Sequence, residues 1–179
     1  MAEFLWIFWS FSLLGWVLER LFAAVTRSPR RRRRCLLLLP LCPVYGLGMA
    51  AVLALPPSLR SGWPLYLWGG LTATSVEYIY HWWGETFLGV SFWDYTGVFG
   101  NFRGRVCLPF SLAWGLLMFP AVYLVTTPVV ALADRVPIGV TWWLLLAFTA
   151  DAVCSLRFLA VTHDLEALRA AIWPVSADR

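Results

Sequence analysis

The chain has 179 residues, 60% of them hydrophobic and 13% charged, with mean hydropathy +0.71 and a net charge of +4. A soluble domain of this size carries about a quarter charged residues, so water could not solvate this surface and a bilayer is the economical solvent. The 12 Trp and 6 Tyr agree, because amphipathic rings gather at the headgroup level.

A spanning helix needs about 20 mostly apolar residues, and the first such stretch runs from about Phe4 to Val25. Met1-Ala2-Glu3 precedes it and the basic cluster follows it. That is the reverse of a secretory signal, so the stretch is expected to stay. Six of the 14 Arg then fall between Arg27 and Arg34, and the chain has no Lys. The second predicted span covers 35–55 and is interrupted by Pro40 and Pro43, which remove backbone donors. A kinked span is favoured over a re-entrant loop. The third covers 63–83, followed by the longest polar connection, 84–105. The fourth and fifth cover 106–132 and 138–160, and 162–179 reads as a short amphipathic helix and a tail. The expected fold is all-α: one polytopic membrane domain over 1–179, with about five transmembrane helices.

Orientation follows from the basic residues that flank the spans. With the Arg27–Arg34 loop in the cytoplasm, alternation puts Arg103, Arg105, Arg157, Arg169 and Arg179 on the same side. The N-terminus is then outside and the C-terminus cytoplasmic. Topology alone explains the Arg run, and attraction to anionic lipid is compatible with it. A nucleic-acid surface would need a folded basic face or interleaved aromatics, and neither accompanies the run.

Cys35, Cys42, Cys107 and Cys154 lie in or beside apolar segments, with no CxxC pair and no zinc-like spacing to His81 or His163. Neither a disulfide framework nor a metal site is expected. GxSxG, Ser-x-x-Lys and HExxH motifs are absent, and without Lys no P-loop can form. No cofactor is implied, and enzymatic activity is not indicated.

Ionisable groups inside spans are costly and normally face the bundle interior. Ser12, Gly15, Trp16 and Glu19 recur at helical steps on one stripe of the first span. Thr74, Glu77, His81 and Glu85 do so in the third, and Asp151 stands one turn before Ser155 in the fifth. The functional reading is a polar cavity near the cytoplasmic leaflet. In it Glu19 and Glu77 bind a cation, a proton or a basic group, with Arg105 as their counter-charge. The plainer reading makes the same residues interhelical pins. Arg20 is expected to snorkel to the interface. Asp94, between Trp93 and Tyr95, either touches substrate or caps a turn.

At Phe11-Ser12-Leu13-Leu14-Gly15-Trp16-Val17-Leu18-Glu19 the sequence resembles a bacterial ABC-transporter permease family, CmpB-like or type IV. The likeness continues at Pro40-Leu41-Cys42-Pro43-Val44-Tyr45-Gly46-Leu47-Gly48, from Glu77-Tyr78 to Glu85, and at Phe92-Trp93-Asp94-Tyr95-Thr96. Asn101, Gly104-Arg105-Val106-Cys107-Leu108, Phe110-Ser111 and Trp114-Gly115 complete it, over residues 8–128. The family leads into the second block with glycines where this chain has Cys35 and Leu39. The resemblance implies a transport component in the bacterial inner membrane, with 84–105 as docking surface for a cytoplasmic ATPase subunit. It adds Asn101 to the site candidates Glu19, Glu77, Asp94, Arg105 and Asp151, with Ser12, Thr74, His81 and Glu85 secondary. Five spans form a thin wall, so a homo-oligomer or a partner is also expected. The alternatives are a non-transporting scaffold or regulator, and a lipid-headgroup enzyme using Asp94 or Glu85 as base and Arg105 as phosphate clamp.

Overall fold

The computed structural model describes residues 1–26 and 35–170. Arg27, Arg30 to Arg34 and the tail beyond residue 170 lie outside the described residues. Helix α1 (Ala2–Thr26) is unbroken. Pro43 opens α2 (Pro43–Leu53) and Pro64 opens α3 (Pro64–Trp83), since proline's fixed φ suits a first helical turn. A π-helical turn, Gly84–Leu88, extends α3 and ends at Gly89 in the left-handed region. A minimal hairpin follows, β1 (Asn101–Phe102) against β2 (Val106–Cys107), antiparallel with Asn101 facing Cys107 and Phe102 facing Val106. Its two central turn residues, Arg103 and Gly104, both have positive φ, and Arg105 N–H donates to the Phe102 carbonyl at 3.1 Å. That is the tight primed turn that matches strand twist.

Helix α4 (Leu108–Pro120) then runs through a π-helical turn at Ala121–Val125 into α5 (Thr126–Ala133), and α6 (Ile138–Thr162) returns. His163 breaks α6 in the left-handed conformation. Asp164 then caps the short α7 (Leu165–Ala170), its carboxylate accepting from Glu166 N–H at 2.8 Å and Ala167 N–H at 3.1 Å. Among the described residues, three helical stretches are long and apolar enough to cross a membrane: Ala2–Thr26, Leu108–Ala133 and Ile138–Thr162. Helix α3 has the length at 20 residues but carries Glu77 and His81 among its apolar positions.

Two features of the second predicted span differ from a continuous helix of reduced cysteines. Residues 35–42 are not helical, and α2 holds only 11 residues. At about 1.5 Å per residue that is roughly 16 Å, half of a hydrocarbon core of about 30 Å. Pro40 and Pro43 are the cause, because neither can sit inside a helix without breaking its ladder. Cys35 and Cys42, for which no disulfide was expected, are bonded, their Cα atoms 5.2 Å apart. In a continuous helix seven residues would separate them by about 10 Å, beyond disulfide reach. Reading the segment as a span hid the pair.

Helix α2 lies antiparallel on the N-terminal half of α1. Cys42 N–H donates to the Ser12 carbonyl at 2.9 Å, and farther along Met49 packs with Ile7 and Phe11. Glycine permits the approach: a Cβ on Gly46 would fall on the Phe8 carbonyl oxygen and the Ser12 hydroxyl, and one on Gly15 inside the Tyr45 ring. The α3–α4 contact is equally close, with a Cβ on Gly70 only 2.9 Å from the Gly115 Cα. Small residues at such crossings let helices gain dispersion contact where lipid offers no hydrophobic drive. The largest buried cluster joins the 35–42 loop, the 88–95 segment and the α6–α7 corner through Leu37, Phe92, Trp93, Leu159 and Leu165.

Candidate functional site

Glu77 is 2% exposed in the middle of the bundle. The Tyr95 hydroxyl donates to its Oε1 at 3.1 Å and Trp114 Nε1 donates to its Oε2 at 2.9 Å. One carboxylate thus ties α3 to the connecting segment and to α4, and Tyr95 is itself stacked on Phe110 with ring centres 5.0 Å apart. Glu19, half-buried on α1, accepts a hydrogen bond from the Tyr45 hydroxyl of α2. The Tyr45 ring meets the Trp114 ring edge-to-face at 5.4 Å. A path therefore runs from Glu19 through Tyr45 and Trp114 to Glu77, across α1, α2, α4 and α3.

This path closes one end of a cavity of about 350 Å³. Glu77, Tyr45 and Trp114 line that end, and apolar side chains of α1, α2, α3 and α4 form the rest, with Ala121 and Val125 of the π-helical turn in the wall. The sequence led to a polar cavity. The structure gives an apolar one with a carboxylate at its end.

Arg105 is not the counter-charge of these two acids. The hairpin turn aims it at the rim, where Nε donates to Glu85 Oε2 at 2.7 Å and Nη1 donates to the Tyr78 hydroxyl at 2.9 Å. His81, 1% exposed, has Nε2 at 3.1 Å from Glu85 Oε1 and 3.2 Å from the Ser91 hydroxyl. Trp93 Nε1 locks the hairpin by donating to the Arg105 carbonyl at 2.7 Å. Asp94 and Asn101 build this rim rather than reach the cavity. Asp94 Oδ1 accepts from Thr96 N–H at 2.8 Å, and the Thr96 hydroxyl and N–H together hold its carboxyl below the usual range. Asn101 Oδ1 accepts from Gly104 N–H at 3.3 Å while its amide donates to the Val98 carbonyl at 3.0 Å.

Asp151 stands apart. Its carboxylate accepts from Leu38 N–H at 3.2 Å, Leu39 N–H at 2.9 Å and the Ser155 hydroxyl at 3.0 Å, so it satisfies the backbone of the disulfide-closed loop. The hydroxyls of Ser12 and Thr74 are buried with no hydrogen-bond partner among the described residues. Arg20 lies over the Trp16 ring at 5.0 Å, and His163 Nδ1 sits 2.6 Å from the Leu88 carbonyl, fastening α6 to the π turn.

The sequence reading found the acids and missed their donors. Tyr45, Tyr95 and Trp114 all stand within the motif blocks quoted above, and a buried acid needs donors. Those two facts together would have named them.

Membrane-length apolar helices around a carboxylate-ended cavity define a multi-pass helical membrane protein. Residues 6–156 match the family described as "Putative ABC-transporter type IV", and the chain belongs to it. The match takes in most of α6, so the fifth predicted span is not outside the likeness as the motif blocks alone implied. No curated protein and no solved structure matches the chain.

Proposed function

We propose that the chain is a permease-like subunit of a membrane transporter in the bacterial cytoplasmic membrane, with its substrate site in the cavity that Glu77 ends. The observation that carries this is the cavity itself, roughly 350 Å³ of space bounded by α1, α2, α3, α4 and the π-helical turn, with a carboxylate at its end. Sites of this kind are concave, mostly apolar and supplied with few polar groups. Family membership adds the expectation of an ATPase partner. Its docking surface would be the 84–105 connection, where Phe87, Phe99 and Phe102 are exposed.

In this reading the chain crosses five times, N-terminus outside and C-terminus in the cytoplasm, with the Arg-rich loop inside. Helix α2 is short, but Met49 packs beside Ile7 near the start of α1 and Val52 beside Leu65 at the start of α3. The chain has thus returned to the N-terminal level of α1 before α3 begins, which supports counting 35–55 as a pass.

The test is purification in mild detergent followed by reconstitution in liposomes. A nucleotide-hydrolysing subunit should co-purify, and its ATP turnover should depend on this chain and fall in Glu77→Gln. A chain that purifies alone and alters no ATPase would overturn the reading. A second reading, a scaffold that transports nothing, is favoured by the number of segments each acid joins: Glu77 ties three and Asp151 holds the 38–39 backbone. Under that reading Glu19→Gln lowers thermal stability in detergent and changes no flux.

A further inference from the structure

The 35–42 loop, closed by the Cys35–Cys42 bond, joins α1, α6 and the 88–95 segment. Asp151 of α6 accepts from its Leu38 and Leu39 N–H groups, and Cys42 N–H donates to the Ser12 carbonyl of α1. Leu36 and Leu37 pack in the buried cluster with Phe92, Leu159 and Leu165. None of these anchors passes through sulfur. Buried cysteine thiols behave as small apolar groups, so cutting the bond leaves the loop held by its other contacts.

What the bond controls is the start of α2. Only Pro43 and Val44 separate Cys42 from Tyr45, and the Cys42 carbonyl accepts the Tyr45 N–H at 3.1 Å. Val44 and Tyr45 line the cavity, and the Tyr45 hydroxyl donates to Glu19 of α1. Pro40 and Pro43 lack backbone N–H groups, so the loop has few backbone bonds of its own to define its path. The cross-link supplies that definition by tying together two ends seven residues apart. Cys35 directly follows the basic run Arg30 to Arg34 in sequence. In the orientation of the proposed function this run lies in the cytoplasm, where thiols are kept reduced and disulfides are usually transient or redox-sensing.

From these observations we propose that Cys35–Cys42 is a thiol–disulfide exchange site at the cytoplasmic end of the bundle, whose state sets how firmly the 35–45 segment holds the Tyr45 end of the cavity. The co-reactant is a dithiol. One of its thiolates attacks the Cys35 sulfur, the more exposed of the two at 9% against 4%. A mixed disulfide forms, the Cys35–Cys42 bond breaks, and Cys42 leaves as a thiolate that takes up a proton. The second donor thiolate then attacks the donor sulfur of the mixed disulfide and releases Cys35, which is protonated in turn. Two electrons and two protons pass to the pair, and the donor is left as a disulfide. Oxidation runs the same steps backward from a disulfide co-reactant. The basic residues before Cys35 favour the thiolate form. Both sulfurs are largely covered, so exchange follows a local opening of the loop. The inference rests on the orientation in the proposed function for the side of its reductant, and adds a control on the same cavity.

The experiment uses the whole chain in sealed membrane vesicles, right-side-out and inside-out, exposed to reduced thioredoxin, a dithiol that cannot cross the bilayer. The chain is then unfolded and its free thiols are counted by mass after maleimide labelling. The oxidised chain should carry two adducts, on Cys107 and Cys154, and the reduced chain four. Four are expected only in inside-out vesicles. In lipid nanodiscs, reduction should speed hydrogen exchange over 35–45 by about tenfold or more while α6 keeps its protection. Cys35→Ser combined with Cys42→Ser should exchange like the reduced chain and ignore the dithiol. Four adducts in the air-oxidised chain, a bond that resists the dithiol from both sides, or unchanged exchange over 35–45 on reduction overturns the inference. So does a loss of protection throughout the bundle, which would make the bond a structural staple. Reduction from the outer face alone overturns the orientation in the proposed function and leaves the exchange site standing. A C-terminus located in the cytoplasm by a fused reporter, with a bond that resists the dithiol, does the reverse.

Discussion

Glu77 and Glu85 stand two turns apart on one helical line, yet they are held in opposite ways. Glu77 is 2% exposed and accepts from the Tyr95 hydroxyl and the Trp114 indole N–H. The Glu85 side chain is 36% exposed and meets the Arg105 guanidinium at 2.7 Å. Depth accounts for the difference. Bringing a carboxylate and a guanidinium out of water together costs two desolvations, which their attraction repays only with excellent geometry. At the rim, water shares that cost. Deep in the bundle, a tyrosine hydroxyl and an indole N–H each give the acid a neutral hydrogen bond.

The comparison predicts unequal costs. Glu77→Ala would leave the Tyr95 hydroxyl and Trp114 Nε1 buried without their acceptor, at about 1–3 kcal/mol each. Thermal unfolding in detergent should show the largest loss of any single polar substitution, with Glu77→Gln retaining part of the stability. Arg105→Ala breaks a part-buried pair at the rim, with the Tyr78 bond lost beside it, and should cost less than Glu77→Ala because water reaches Glu85. If Arg105→Ala proved the more damaging of the two, the depth argument would fail.

The glycines of α2 sharpen the same contrast between packed and open regions. Gly46→Val forces a side chain onto the Phe8 carbonyl, and overpacking of this kind costs about 1–3 kcal/mol or more. Gly48→Ala, half a turn away, places its methyl in open space and should stabilise the helix by up to about 1 kcal/mol. Melting curves of the two variants should move in opposite directions. A fall for both would mean that the α2 face has been wrongly assigned.

Much of this was legible in the sequence, for reasons that differ by element. Hydropathy exposed α1, α4–α5 and α6 because a span must be apolar along its whole length. The 3–4 periodicity put Glu77, His81 and Glu85 on one stripe, and they do share a face. The disulfide was not legible, since it depends on a local turn at Pro40 and Pro43 that periodicity cannot see. Nor was the Arg105–Glu85 pairing. It depends on the Arg103-Gly104 turn, which swings the guanidinium toward the rim instead of toward Glu77. Asp151 accepts from the backbone N–H groups of Leu38 and Leu39, and no side-chain pattern announces those.

The smallest expected effect lies farthest out on the rim. Asp94 is exposed, and the Thr96 hydroxyl and N–H lower its carboxyl pKa. A depressed folded value means that the ionised form is the one the fold favours. The turn's contribution is then complete above the ordinary aspartate range near pH 4 and is lost as pH falls through the lower folded value. Asp94→Asn should therefore leave neutral-pH stability nearly unchanged while removing a weak acid-side dependence. The carboxyl carbon of Asp94, followed by NMR from pH 6 downward, should titrate below the ordinary aspartate value. A midpoint at or above that value would show that Thr96 does not hold the charged form, and the rim turn would then owe its shape to the Asn101 and Trp93 contacts alone.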